Sequence, residues 1–130
     1  MRYSLFLVLI CFSTLVTSQE TSIPFEKDGL VYIPVKLPEK KEILTFVFDT
    51  GASTAIMDKK VATRLGIKAD SKQYATGASG SQEYEIAINR SIDIENIRFN
   101  KLNIVLVDLQ ELSNRSGVQI DGIIRYDVLK

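Results

Sequence analysis

The segment Phe46-Val47-Phe48-Asp49-Thr50-Gly51-Ala52-Ser53-Thr54 carries the chemistry this chain can offer. An apolar run over residues 43–48 ends on a carboxylate, Asp49, with the Thr50 hydroxyl beside it. Gly51 follows, and a residue without a Cβ lets the backbone turn tightly and approach another chain closely. A carboxylate delivered by a buried strand can serve as a general acid or base. The same residues read without function are a strand closed by an Asp-Thr-Gly turn.

Absences narrow the alternatives. The chain has no His, which excludes Ser-His-Asp and Cys-His nucleophiles and any His-ligated zinc. Its one Cys, Cys11, lies in the leader described next, so the remainder has no thiol nucleophile, thiolate metal site or disulfide. Neither common glycine-rich phosphate loop occurs. No metal or cofactor is expected. Catalysis is left to carboxylates, hydroxyls, Lys and Tyr, and an aspartyl mechanism fits that set.

Arg2, the apolar residues from Leu5 to Cys11, and the small residues Val16-Thr17-Ser18 predict a signal peptide over 1–18. Its apolar part is short for a membrane span. Ile10 is too bulky before Cys11 for a lipoprotein signal. The expected address is exported, periplasmic or secreted. The chain carries 16 basic and 16 acidic residues, and removing the leader takes away only Arg2, leaving a net charge of −1. That balance attracts neither nucleic acid nor an anionic membrane once the leader is gone. Residues 19–130 have the length of one small domain.

The elements that would position Asp49 read mostly as strands. Residues 30–37 alternate apolar and polar after the Asp28-Gly29 turn, predicting a hairpin that opens from Phe25. The charged stretch Glu39-Lys40-Lys41-Glu42 reads as a solvated turn into the strand over 43–48. Asp58 can cap a short helix over 59–65, closed by Gly66, with Val61, Ala62 and Leu65 on one face. Residues 74–88 surround a Gly77-Ala78-Ser79-Gly80 centre, and Tyr84, Ile86 and Ile88 alternate with Glu83, Glu85 and Ala87. Tyr74 reads as a half-buried strand residue. Strands are expected over 92–94 and 99–107, a helical turn over 109–112 and a loop over 114–117. Asn89-Arg90-Ser91 and Asn114-Arg115-Ser116 match the glycosylation pattern, which matters only in a eukaryotic secretory route.

The order of these elements, ending in Asp121-Gly122-Ile123-Ile124, together with Phe-Asp-Thr-Gly-Ala-Ser, resembles one lobe of an aspartic protease, in particular the single-lobe retropepsin-like kind. The resemblance spans about residues 24–130 and is closest to bacterial secreted proteins of that family. It implies an all-β, single-lobe acid-protease barrel with one or two short helices. It implies Asp49, Thr50 and Gly51 as the catalytic loop, and Gly77, Ala78, Ser79 and Gly80 as a flap over a peptide or protein substrate. Ile123 and Ile124 would lie against the loop and, with the flap, contact the substrate.

One carboxylate cannot both activate water and protonate a carbonyl, whereas two facing ones share a proton and do both. With one such loop per chain, the resemblance implies a homodimer. Thr50 would hydrogen-bond across the two-fold axis, and the Gly51 N–H would donate to the carboxylate. Two departures stand out. The family's late motif has Gly where this chain has Arg125. Tyr126-Asp127-Val128-Leu129-Lys130 resembles only the start of the family's C-terminal helix, so the lobe is expected to lack that helix and the strand after it. The competing expectation is a catalytically inactive β-barrel that binds a peptide or another protein.

Overall fold

The computed structural model describes residues 29–77 and 80–125. In chain order the elements are β1 (Val31–Lys36), β2 (Ile43–Asp49), β3 (Ala55–Asp58), α1 (Lys59–Arg64), β4 (Ser71–Gly77), β5 (Gly80–Ile94), β6 (Ile97–Val107), α2 (Gln110–Ser116) and β7 (Gly122–Arg125). The predicted leader, the hairpin start at Phe25, the flap residues Ala78 and Ser79, and the segment from Tyr126 lie outside the described residues.

The strands form one sheet in the order β1-β2-β7-β3-β6-β5-β4, and β1 also pairs with β5 at Lys36 and Asp93. That last pairing closes the sheet from β1 to β5 into a barrel, the all-β architecture the sequence predicts. β5 reaches both β4 and β1 because it is long and bent. Its register to β6 shifts on either side of Arg90, and Asn89 adopts a positive φ of 56°. Bulges of this kind bend a strand and increase its twist. Two predicted strands are therefore one continuous element.

β2 is paired on both edges, to β1 antiparallel and to β7 parallel. Both of its faces are also covered. Leu44 and Phe46 join the main core with Val35, Met57, Ile92 and Ile104, while Val47 packs with Tyr32, Leu109 and Ile120 in a second cluster. A strand buried on two faces reads as a continuous apolar run, and residues 43–48 read that way.

α1 starts where expected. Asp58 accepts from the backbone N–H of Lys60 and Val61 at 2.9 and 3.0 Å, satisfying two of the helix's open donors. Its other oxygen accepts from Leu109 N–H at 2.8 Å, tying the helix start to the chain after β6. Two expectations change. β3 was not legible as a strand, because four residues are too few to show a period. The expected loop over 114–117 is the continuation of α2 through Ser116, stopped by Gly117 in the left-handed conformation at φ 71°.

Candidate active site

Asp49 is the last residue of β2 and is exposed. The Gly51 N–H donates to Asp49 Oδ1 at 2.8 Å, and the Ala52 N–H donates to the Asp49 carbonyl at 3.4 Å. A Cβ on Gly51 would lie 3.3 Å from Oδ1, so glycine is what lets the amide come in. The carboxylate is therefore oriented by its own loop. Thr50 is exposed beside it.

The sheet order sets the loop's path. β2 and β3 are consecutive in sequence but not neighbours, because β7 lies between them, parallel to β2 and antiparallel to β3. Residues 50–54 must therefore arch over the end of β7. The residue at that end is Arg125, which is the register partner of Asp49. Its Nη1 donates to the Ser53 carbonyl within the arch.

Asp121 and Gly122 hold β7 in place. Asp121 is buried and grips Thr45 of β2 twice, accepting from its N–H through Oδ2 and donating its own N–H to the Thr45 carbonyl, both at 2.8 Å. The Asp121 carbonyl also accepts from Asp58 N–H at 2.8 Å. The aspartate fastens three strands at the base of the site, beyond what an Asp-Gly turn requires. At Gly122 an added Cβ would sit 2.4 Å from Phe46 Cζ and 2.7 Å from the Ile56 carbonyl, so this glycine exists for close packing. Ile124 is fully buried in the main core, which puts its side chain beneath the loop instead of in a groove. Ile123 is half-buried against the second cluster.

A cleft of about 600 Å³ opens beside the arch. Ser53 and Thr54 form one end, and Ile56, Ile86 and Val105 line it with apolar surface. Tyr74 and Tyr84, from the β4–β5 hairpin, close the other side. In that hairpin Gly77 pairs with Gly80, which has a φ of 107°. Tyr74 is 73% exposed, not half-buried as its position in a strand suggested. Its hydroxyl donates to Glu83 Oε2 at 2.7 Å, and Lys72 Nζ donates to Glu83 Oε1 at 2.7 Å. The two donors hold the Glu83 carboxyl below the usual carboxylate range, the Lys72 bond contributing most. The Glu83 bond in turn raises the Tyr74 phenol and the Lys72 ammonium above their ordinary values.

Sequence reasoning did not single out Ser53, Thr54, Ile56 or Val105 as site residues. The signal available was proximity: Ser53 and Thr54 directly follow Asp49-Thr50-Gly51-Ala52, whereas Val105 reaches the cleft only through pairing with Ile56. A larger cleft of about 780 Å³ lies between α1 and β4, but it touches none of residues 49–54. Among the described residues no group of three or more His, Cys, Asp or Glu could hold a metal ion. Among them, too, no helix is long and apolar enough to cross a membrane.

The comparisons with known proteins agree with this geometry. The family model described as aspartyl protease matches residues 33–128. A retropepsin-like aspartic protease from Rickettsia conorii superposes with a TM-score of 0.55 at 20% identity, covering 82% of this chain and 73% of that one. The retroviral protease-like domain of Ddi1 from Leishmania major gives 0.54 at 18% identity, covering 82% and 75%. The protease of simian foamy virus gives 0.53 at 7% identity, covering 75% and 90%. At these identities the likeness concerns the fold. No curated protein matches the chain.

Proposed function

The chain belongs to the aspartyl protease family and has its retropepsin-like, single-lobe fold, and on that premise we propose that it is an aspartic endopeptidase acting as a symmetric homodimer. The observation that carries the proposal is Asp49, exposed at the end of a buried strand and oriented by Gly51 N–H, in a loop whose Ser53 and Thr54 line a largely apolar cleft. One chain supplies one such carboxylate. Two copies related by a two-fold axis would bring two together, about 3 Å apart, where a single proton is shared. The ionised member takes a proton from water as the water attacks the peptide carbonyl, and the protonated member donates to the carbonyl oxygen. Thr50 would bond across the axis and hold the two loops in register.

The substrate would be a peptide in extended form, pairing with the backbone of the β4–β5 hairpin and setting an apolar side chain against Ile56, Ile86 and Val105. Gly77 and Gly80 would let the hairpin lift and then close over the bond being cut. Export belongs to the same proposal. N-terminal sequencing of the protein made in its own cell type should begin at Gln19, and an intact Met1 would remove that element.

The test is hydrolysis of a peptide library between about pH 4 and 7, where a shared-proton pair holds its single proton, with Asp49→Asn as the blank. Specific activity should rise with protein concentration as a monomer–dimer equilibrium dictates and be absent from the variant. Cleavage that survives Asp49→Asn, or no cleavage from a folded dimer, ends the proposal. A second reading, a silent barrel that binds a peptide or another protein, is favoured by Arg125, a charged side chain in register with Asp49. Peptide binding without turnover, unchanged in Asp49→Asn, would establish it.

A further inference from the structure

Arg125 stands where the family resemblance expects glycine, and the structure gives that side chain a place. The sheet order β2-β7-β3 forces residues 50–54 to cross over the end of β7. Arg125 is the last residue of β7, level with Asp49 on the adjacent parallel strand. Its guanidinium reaches the Ser53 carbonyl, on the descending side of the arch. Asp49 forms the ascending side, and its carboxylate takes the Gly51 N–H from within the arch. Arg125 is half-buried and does not line the cleft.

We infer that Arg125 is a positioning residue, a prop that stands on the end of β7 and fixes the active-site arch from beneath. A carbonyl in a surface loop otherwise faces water, and the loop carrying it is free to shift. A guanidinium donor anchored on a strand that is paired on both sides removes that freedom. Glycine at 125 cannot reach the arch, so a loop built over glycine must be held by other contacts. Here the tie joins Ser53, at the cleft, to the strand end level with Asp49. The prop thus couples the wall of the cleft to the orientation of the carboxylate. Its effect on turnover rests on the peptidase reading above; its effect on the loop does not.

The experiment uses the full chain and the variants Arg125→Ala, Arg125→Met and Arg125→Lys, followed by amide hydrogen exchange at Gly51 and Ala52. The amides of β6 serve as the internal reference. Loss of a charge-assisted hydrogen bond should speed exchange of the two loop amides by about tenfold in Arg125→Ala and leave β6 unchanged. Arg125→Lys, which keeps a donor, should recover part of the protection. In the kinetic assay kcat should fall by about tenfold or more while KM changes by less. Of the residues lining the cleft only the loop pair Ser53 and Thr54 loosens and the rest stay on their strands, whereas the reacting geometry depends on the loop directly. Loop exchange at the wild-type rate in Arg125→Ala overturns the inference whatever the activity. If Arg125→Ala does not fold, Arg125→Met, which retains the apolar stem, carries the same comparison, and wild-type exchange in it overturns the inference equally. A wild-type protein that cleaves nothing removes the peptidase reading, yet the exchange data still decide whether Arg125 props the arch.

Discussion

Replacing Gly122 by Ala tests the packing that places β7 beneath the active-site loop. The added Cβ would lie 2.4 Å from Phe46 Cζ, 2.5 Å from Phe46 Cε2 and 2.7 Å from the Ile56 carbonyl oxygen. Carbon atoms in contact sit about 3.5 Å apart or more, so the ring would have to retreat by about 1 Å. Phe46 is 1% exposed and lies among Leu44, Met57 and Ile124, which leaves no room for that retreat. The Ile56 carbonyl belongs to the backbone of β3 and moves only if the β3–β7 pairing moves. Overpacking typically costs about 1–3 kcal/mol, and with both obstacles rigid the upper end applies, about 3 kcal/mol.

For a domain of this size each kcal/mol moves the melting temperature by roughly 4 °C, so Tm should fall by roughly 12 °C. Urea unfolding followed by circular dichroism should show the midpoint shifted at unchanged slope. Phe46→Leu in the Gly122→Ala background should cost less than in the wild type, because the shorter side chain vacates the contested space. A Tm within about 2 °C of wild type, half the shift expected for a single kcal/mol, would refute the argument. It would mean that β7 does not run between β2 and β3 in this register.

Other expectations follow from the same contacts. Asp58→Asn leaves one carboxamide oxygen for three backbone donors, those of Lys60, Val61 and Leu109. It should cost about 2 kcal/mol in urea unfolding without altering cleavage. Glu83 is held below the ordinary carboxylate range first by Lys72 and then by Tyr74. Its contribution to the hairpin is therefore complete above the unfolded-chain value and is lost as pH falls through the folded one. A carbon-13 NMR titration should show Glu83 titrating below a free glutamate, and Lys72→Met should move it upward. Asp93 is likewise lowered by Arg98 across the β5–β6 turn, and Arg98→Met should raise its titration in the same experiment. Asp49→Asn should abolish peptide cleavage while leaving the unfolding midpoint unchanged, since the side chain is exposed.

Much of the architecture is readable where a local pattern matches a local cause. The apolar run into Asp49 announces a strand buried on both faces. Asp58, three residues before Val61, announces a helix cap. The Gly77-Ala78-Ser79-Gly80 centre announces a hairpin. Readings went astray where the cause was not local. β3 is four residues held by partners at 104–107 and 122–123. Residues 110–116 are polar enough to read as a loop beyond Leu112, yet Leu109 and Ser113 anchor them as a helix. The role of Gly122 depends on a ring 76 residues away in sequence, at Phe46.

By itself the sequence determined the chemistry available: no His, no thiol beyond Cys11, and one Asp-Thr-Gly loop fed by a buried strand. Residue types and spacings along the chain are enough for that, because a functional group is chosen when its residue is. Only the tertiary structure decided what surrounds the loop. The insertion of β7 between β2 and β3, the three-strand grip of Asp121, the cleft shared by Ser53 and Val105, and the reach of Arg125 to the Ser53 carbonyl all join residues distant in the chain. Such contacts arise from strand order, and strand order is settled by the packing of the whole barrel.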